Sequence, residues 1–504
     1  VSVVTAQLPL FDLAGRRVLV LGLGDSGLAM ARWAVFRGAL LSVADTREAP
    51  PRLAELRQDL PGASFSGGPL TAALLEGVDL VAWSPGLSIE IGEGAAFHAL
   101  ARERGVPVVG EIELFAQALA LLGEQGYRPR VAAITGTNGK TTTTRLVGHL
   151  CSHAGLRAAV AGNIAPAVLD ALREQLVACG EVPDPARLPE VWVLELSSFQ
   201  LALTDSLAPD VAAILNITQD HLDWHADMAS YAAAKQRLWR GARACVWNRD
   251  DPLTAPPAGA RQASFGASAP GQAGDFGIVH EGGLRWLAAA VPGEEAPGSP
   301  RRRREAPLPL LRRLMPADAL RIRGTHNHGN ALAALAIAGA LGLPTATLLH
   351  GLRVFEGEPH RCELIAVIDD VEYYDDSKGT NVGATVAALS GLGKRCLLIA
   401  GGEGKGQDFS PLAAPVAAHA RAVFLIGQDA PRLRAALAGT PALLVDCASL
   451  EEAVSRAREI AVLGDAVLLS PACASFDMFR NYAHRAEVFV DAVRALALDA
   501  GVPC

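Results

Sequence analysis

The chain has no paired cysteines, no long apolar run and no excess of basic charge, and each shortage removes a class of protein. Its eight cysteines (Cys151, Cys179, Cys245, Cys362, Cys396, Cys447, Cys473 and Cys504) lie far apart without a CxxC pair. That excludes a disulfide frame or a zinc knuckle and predicts reduced thiols, as in a cytoplasm. Lys and Arg number 45 against 53 Asp and Glu, a formal net charge of -8, so the electrostatic footprint of a nucleic-acid binder is missing and small anionic ligands are expected instead. The longest apolar helix pattern, residues 331–343, is short and broken by glycine, too little to cross a bilayer, and no membrane partner is expected. The opening VSVVTAQLPLFD has neither a basic n-region nor an apolar h-region, so no secretory leader is expected. No internal repeat is visible.

What remains is an ordinary globular composition, 50% hydrophobic and 19% charged over 504 residues, long enough for about three domains. Short Val/Ile/Leu runs alternate with helical Ala/Leu/Arg patterns almost from end to end, which predicts an α/β protein with parallel sheets covered by helices. RVAAITG, VWVLELSS and VAAILNIT form one group of strand-like runs; KRCLLIAGG, AVFLIG, ALLVDC and AVLLSPA form another. Seams near Gly110 and Gly357, where glycine, proline and charge interrupt the pattern, place the domains at 1–109, 110–356 and 357–504. The Pro- and charge-rich stretch 291–310, with arginines at 301–304, reads as a surface loop.

Two glycine loops and the strand ends near them carry chemistry. In VLVLGLGDSGLAMARW a buried strand ends at Gly22-x-Gly24-x-x-Gly27 and a helix follows from Ser26, the arrangement that offers free backbone N–H groups to a phosphate. Asp45 ends the next strand, where an acid would hold a ribose hydroxyl. A lone GxGxxG is a weak signal: a glycine turn needed only for helix packing, or a nicotinamide dehydrogenase, would show it too. The signal in AITGTNGKTTTT, residues 133–144, is stronger. Lys140 neutralises phosphate, Thr141 can ligate Mg²⁺, and Gly136 and Gly139 free the loop backbone to wrap a triphosphate. It departs from the ordinary phosphate-loop pattern, since Ile134 stands where the first glycine would be. Glu195 ends the strand VWVLE, placed to share that Mg²⁺. LNITQDHLDWH then sets Asp220, His221, Asp223 and His225 beyond another strand. A zinc protease is rejected because Leu222 follows His221 where the catalytic Glu of HExxH would stand. Lys235, in SYAAAKQRLW, reads by composition as a solvated helix lysine.

In sequence order GTNGKT, GNI (Gly162, Asn163, Ile164), ELSSFQL, LNITQDH, YAAAK, GTHNHGNALAALA, PHR (Pro359, His360, Arg361), DDSKGTN, GGEGKGQDFS and LSPACASFDMF resemble the Mur ligases of peptidoglycan synthesis, over nearly the whole chain. Two stretches, 291–310 and 179–190, are longer than the family pattern. The resemblance implies a Rossmann-like first domain, a central P-loop-type ATPase domain with a parallel sheet and a Rossmann-like C-terminal domain. It also implies a cytoplasmic, monomeric ATP-dependent ligase that joins D-glutamate to UDP-N-acetylmuramoyl-L-alanine through an acyl phosphate. On that reading Asp25, Ser26, Asp45, Thr46 and Gly86 receive the UDP-sugar, with Asn163 and His221 at its alanyl end. Gly136, Thr137, Asn138, Gly139, Lys140, Thr141 and Thr142, with Asn327, Asn330, Arg361, Asp376 and Lys378, bind ATP. Thr380, Lys405, Ser475, Phe476 and Tyr482 hold D-glutamate; the family often has leucine and phenylalanine at the last two. Two Mg²⁺ ions are implied, one on Thr141 and Glu195 and one on His221 and a carbamylated Lys235, and Lys140, Glu195, His221, Lys235 and Arg361 are the catalytic set. For Asn327 a plainer reading is an N-cap of the Ala-rich helix. Sister ligases and folylpolyglutamate synthases share the ATP motifs, while a dehydrogenase or a nucleotide sensor explains only one of the two glycine loops.

Overall fold

The computed structural model describes residues 12–180, 184–293 and 309–502. The chain divides into two compact units: Val1–Ile217 with His221–Phe265 and Ala333–Leu348, and Thr218–Asp220 with Gly266–Leu332 and Leu349–Cys504.

The first unit contains two parallel sheets. One is β1 (Arg17–Leu21), β2 (Leu40–Asp45), β3 (Ser64–Gly67), β4 (Leu80–Trp83) and β5 (Val108–Val109) in the order 3-2-1-4-5. Val18 to Leu21 are almost wholly buried, as strands covered on both faces must be, and that is why they read as an unbroken apolar run. The helix Asp25–Phe36 starts one residue before the sequence reading placed it. It can start so close to β1 only because residue 27 is glycine: a Cβ there would sit 1.9 Å from the Gly22 carbonyl oxygen. After β3 the chain crosses to the far side of β1, so β1 and β4 stay paired to their last residues, Leu21 and Trp83, while a crevice opens beyond their C-terminal ends where the strand order reverses.

The second sheet is formed by β6 (Arg130–Thr135), β7 (Ala158–Gly162), β8 (Val191–Glu195), β9 (Val211–Ile214), β10 (Ala244–Asn248) and β11 (Gln262–Phe265), all parallel and ordered 7-8-6-9-10-11. Its centre is apolar, with Ala132, Ile134, Trp192, Leu194, Ala212 and Ile214 fully buried. Of the 179–190 stretch, residues 181–183 lie outside the described ones, and Leu188 nearby is fully buried. Helices Asp25–Phe36 and Val168–Cys179 pack together, and Arg32 reaches Asp170 across them at 2.8 Å.

The second unit holds an antiparallel meander, β12 (Asp275–Glu281), β13 (Leu284–Val291) and β14 (Leu310–Pro316). The expected loop at 291–310 falls largely on residues outside the described ones; its ends are paired, Val291 with Leu310. The unit's main sheet is β15 (Glu363–Ile368), β16 (Val371–Asp375), β17 (Cys396–Gly401), β18 (Ala420–Ile426), β19 (Leu443–Asp446) and β20 (Ala466–Leu469), ordered 15-16-20-17-18-19 and parallel except for β15. The seven described cysteines are free, and no helix among the described residues is long and apolar enough to cross a membrane.

Candidate functional site

In the first unit the crevice beside β1 is a cavity of about 480 Å³ lined by Gly22, Gly24, Asp25, Ser26, Asp45, Thr46, Arg47 and the loop Ser84, Pro85, Gly86 and Leu87. All five residues expected to hold the UDP-sugar in this domain therefore line one cavity. Asp45 is buried; it accepts from Leu23 N–H (2.7 Å) and from both Nε and Nη2 of Arg47 (2.8 Å each). Burial alone would push its carboxyl up, but Arg47 and the two amides hold it below the usual carboxylate range. The carboxylate thus also fixes the glycine turn. A second cavity of about 440 Å³ shares Asp25, Ser26 and Pro85 and runs on to Asn163, Ile164, Pro166 and Gln200.

The loop after β6 lies at the centre of the neighbouring sheet. Gly139 (φ 81°) ends the loop and caps helix Lys140–His153, a left-handed conformation that favours glycine. Asn216, just past β9, braces the loop from outside: its carbonyl takes the Thr137 amide (2.8 Å), its Oδ1 the Asn138 amide (2.8 Å), and its Nδ2 donates to the Asn138 carbonyl (3.0 Å). Lys140 Nζ curls over the loop and donates to the carbonyls of Gly136 (2.9 Å) and Thr137 (2.8 Å). A lysine, a helix N-terminus and Thr141 thus converge on one point, the chemistry of a polyphosphate seat.

Glu195 ends β8, paired with Ile134 of β6 and so one strand away from that loop. It is 2% exposed. Oε1 accepts from Asn163 Nδ2 at 2.9 Å, while Oε2, also buried, has no hydrogen-bond partner among the described residues. A buried carboxylate oxygen with an unmet lone pair is costly unless a cation completes it, so Glu195 fits a ligand of a hard divalent ion. His221 holds a left-handed backbone (φ 56°), with its ring 4.7 Å from Phe199 and 6.2 Å from Tyr231. Lys235 is 1% exposed, so the solvated lysine that composition suggested is wrong. Its Nζ donates to the Gly136 carbonyl at 2.8 Å and lies 4.7 Å over the Tyr231 ring, whose hydroxyl is 2.9 Å from Thr137 Oγ1. The helix Met228–Gln236 buries Tyr231, Ala232, Ala234 and Lys235, and through Tyr231 and Lys235 this face meets the phosphate loop.

In the second unit Asn327 lies inside the helix Thr325–Ala340, not before it, so the N-cap reading fails. Its Nδ2 donates to the Arg323 carbonyl (2.6 Å) and its Oδ1 accepts from Asn330 (2.9 Å). Asp376 is buried and accepts from Ser470 Oγ at 2.7 Å; burial pushes its carboxyl up to about 7, against the pull of Ser470 and Arg361. Lys378 Nζ lies 5.5 Å over the ring of Tyr482. The Lys405 loop is tied to the Ser475 loop by paired hydrogen bonds between Glu403 and Ala474. Arg485, fully buried, donates to Ser377 Oγ (3.0 Å) and to the carbonyls of Ser377 (2.8 Å) and Cys473 (3.1 Å). The DDSKGTN and LSPACAS loops therefore meet at one guanidinium, which burial pulls down to about 10. Ser475 is buried, Tyr482 is partly exposed and Phe476 is 65% exposed.

Sequence reasoning missed Asn216, Tyr231, Arg47 and Arg485. The first three stand in or beside the motifs it quoted; a single arginine in a C-terminal helix carries no signal.

A glycine-turn cavity on one parallel sheet, a phosphate loop on a second and a further α/β module define a multi-domain nucleotide-binding protein with the parts for phosphoryl transfer. Three family models match: Mur ligase MurD-like, N-terminal domain (residues 16–110); Mur ligase middle domain (134–283); and Mur ligase, glutamate ligase domain (360–473). The chain is 60% identical over 501 residues to a UDP-N-acetylmuramoylalanine--D-glutamate ligase of Ralstonia nicotianae, covering 97% of this chain and 99% of that one. Its identity to the protein of the same name from Burkholderia mallei is also 60%, over 96% and 98% of the two chains. The fold is similar to MurC of Thermotoga maritima (20% identity, TM-score 0.54, 95% and 99% of the chains) and to MurF of the same organism in complex with ADP (16%, TM-score 0.55, 96% and 97%). The chain belongs to the Mur ligase family.

Proposed function

We propose that the chain joins the amine of D-glutamate to the alanyl carboxylate of UDP-N-acetylmuramoyl-L-alanine, driven by ATP, in the cytoplasmic synthesis of peptidoglycan precursors. The observation that carries this reading is the 60% identity, end to end, to ligases of that name. The chemistry follows from what each group has to overcome. A carboxylate does not acylate an amine in water, so it first takes the γ-phosphoryl group of ATP to give an acyl phosphate and ADP; the amine then displaces phosphate. Two anions must meet in the first step. Lys140 and Arg361 neutralise the phosphoryl oxygens, and the amides of Gly136 to Thr142 hold the chain of phosphates. Thr141 and Glu195 would hold one Mg²⁺, a fit supported by the unpartnered Glu195 Oε2; His221 and a carbamylated Lys235 would hold a second. Bound there, the ions supply positive charge against the repulsion between carboxylate and phosphate.

The remaining assignments belong to the same reading. Residues 1–109 take the UDP-sugar at Asp25, Ser26, Asp45, Thr46 and Gly86, with Asn163 and His221 placing the alanyl end. Residues 110–356 carry the phosphate loop, with Asn327 and Asn330 on the adenine side. Residues 357–504 supply Asp376 and Lys378 to the nucleotide and Thr380, Lys405, Ser475, Phe476 and Tyr482 to D-glutamate. All come from one chain, so a monomer suffices. Phosphate release from ATP with UDP-N-acetylmuramoyl-L-alanine and a panel of amino acids tests the reading. D-Glutamate alone is expected to support turnover; preference for L-alanine or a diamino acid overturns it.

A further inference from the structure

Beyond the phosphate loop and the UDP-sugar cavity, one buried polar chain joins the two modules of the first unit. Ser198, three residues past Glu195, lies 2.9 Å by its Oγ from His225 Nε2, and His225 Nδ1 lies 3.1 Å from Glu90 Oε1. The carboxylate can only accept, so Nδ1 carries the proton and donates. Burial holds His225 below the usual histidine range, leaving Nε2 to accept from the Ser198 hydroxyl. The order Ser, His, Glu is that of a nucleophilic triad, yet Ser198 is 1% exposed and His225 0%, and no substrate reaches either. The chain therefore holds something in place.

What it holds is visible from the bonds around it. Glu90 Oε2 accepts from the Ala226 amide (3.2 Å), Ser88 Oγ donates to the Trp224 carbonyl (2.6 Å), and Trp224 Nε1 donates to the Pro85 carbonyl (2.9 Å). Residues 84–90 follow β4, and their first four, Ser84 to Leu87, line the 480 Å³ cavity. Residues 224–226 follow His221 within one turn. Phe199 is stacked on Trp224 (4.7 Å, 20°) and set edge-on against His221. One wall of the first module's cavity is thus pinned to the segments that carry Glu195 and His221.

We propose that Glu90, His225 and Trp224 are positioning residues that keep the nucleotide seat of the first module in register with the carboxylate-activating groups of the second, for a ligand long enough to touch both. This rests on the UDP-sugar reading above. Such a clasp acts on a ligand that spans the modules and leaves a ligand of the first module alone untouched. A purely structural role would weaken both together or neither.

The test is calorimetric titration of the full chain with UDP and, separately, with UDP-N-acetylmuramoyl-L-alanine, for the wild type, Glu90→Ala, His225→Gln and the double variant. In either single variant UDP affinity is expected to stay within about twofold, while the UDP-sugar Kd rises roughly tenfold, the scale of one lost charge-assisted hydrogen bond. The double variant is expected to lose little more than one single, because both break the same bond. KM for ATP should stay within about twofold while KM for the UDP-sugar follows its Kd. Glu90 lies at the edge of the clasp, so Glu90→Ala keeps the test readable if His225→Gln folds poorly. Equal weakening of UDP and UDP-sugar, or no change in either, overturns the proposal. A wild type that binds UDP-sugar no better than UDP overturns the substrate reading, and the clasp with it.

Discussion

Replacing Glu111 by glutamine should make the protein more stable in mild alkali and leave it nearly unchanged in mild acid. Glu111 opens the helix Glu111–Glu124 in the first unit and is buried; its Oε1 accepts from the Leu169 amide at 3.2 Å. Burial pushes its carboxyl from 4.5 to about 7, against the pull of the Ser26 hydroxyl and the amides of Leu169 and Val168. The folded state therefore binds a proton that the unfolded state has released between these two values, and stability falls as pH rises across that window. Fully ionised, the group costs about 3 kcal/mol, the difference of roughly 2.5 pH units at 1.36 kcal/mol each. Glutamine keeps the shape and the acceptor without the charge. In urea unfolding followed through the transition of the first unit, the gap between Glu111→Gln and wild type should widen by about 2 kcal/mol from pH 5 to pH 8, in favour of the variant. A gap independent of pH, or one that closes as pH rises, would refute the argument. Because the Ser26 hydroxyl acts on Glu111 and also lines the 480 Å³ cavity proposed for the UDP-sugar, KM for that substrate measured on the same variant shows whether the contact matters there.

The remaining expectations concern the reaction. Glu195→Gln should lower kcat on the order of 100-fold, with part of the loss recovered at high Mg²⁺; unchanged Mg²⁺ dependence would remove Glu195 from the metal site. Lys235→Ala should abolish ligation and recover some rate with acetate or formate, whereas Lys235→Arg should not, since a guanidinium cannot become a carbamate. Near-wild-type turnover of Lys235→Ala would sink the carbamate. Lys405→Ala should raise KM for D-glutamate at least roughly tenfold and spare that for ATP if, as proposed, it pairs with a carboxylate of the acceptor; the reverse pattern would move Lys405 to the nucleotide.

The glycine turns were legible because their chemistry is local: only glycine lets Gly27 approach the Gly22 carbonyl, and a lysine opening a helix after such a loop has few other uses. The strands were legible for the same reason, since burial on both faces leaves an uninterrupted apolar run. Lys235 was not legible from its neighbours. YAAAK reads as a weakly amphipathic surface helix, and only the packing of that helix against the phosphate loop turns the lysine inward. Asn327 shows the converse: its helix begins at Thr325, so a residue that looks like a cap lies inside the first turn. Arg485 and His225 are decided by partners about a hundred or more residues away, a separation over which local pattern says nothing.

The guanidinium of Arg485 also sets a timetable. Ser377, which it holds, is 108 residues earlier in the chain, so a ribosome has made the DDSKGTN loop and the LSPACAS loop before it makes the helix that joins them. Until Tyr482–Asp499 emerges and docks, the carbonyls of Ser377, Cys473 and Ala474 lack their buried cation. Contacts so distant in sequence are also the slow ones to form. The junction of these two loops in the second unit is thus a late folding event: the whole first unit, which ends at Leu348, has already been synthesised when Arg485 arrives to close it.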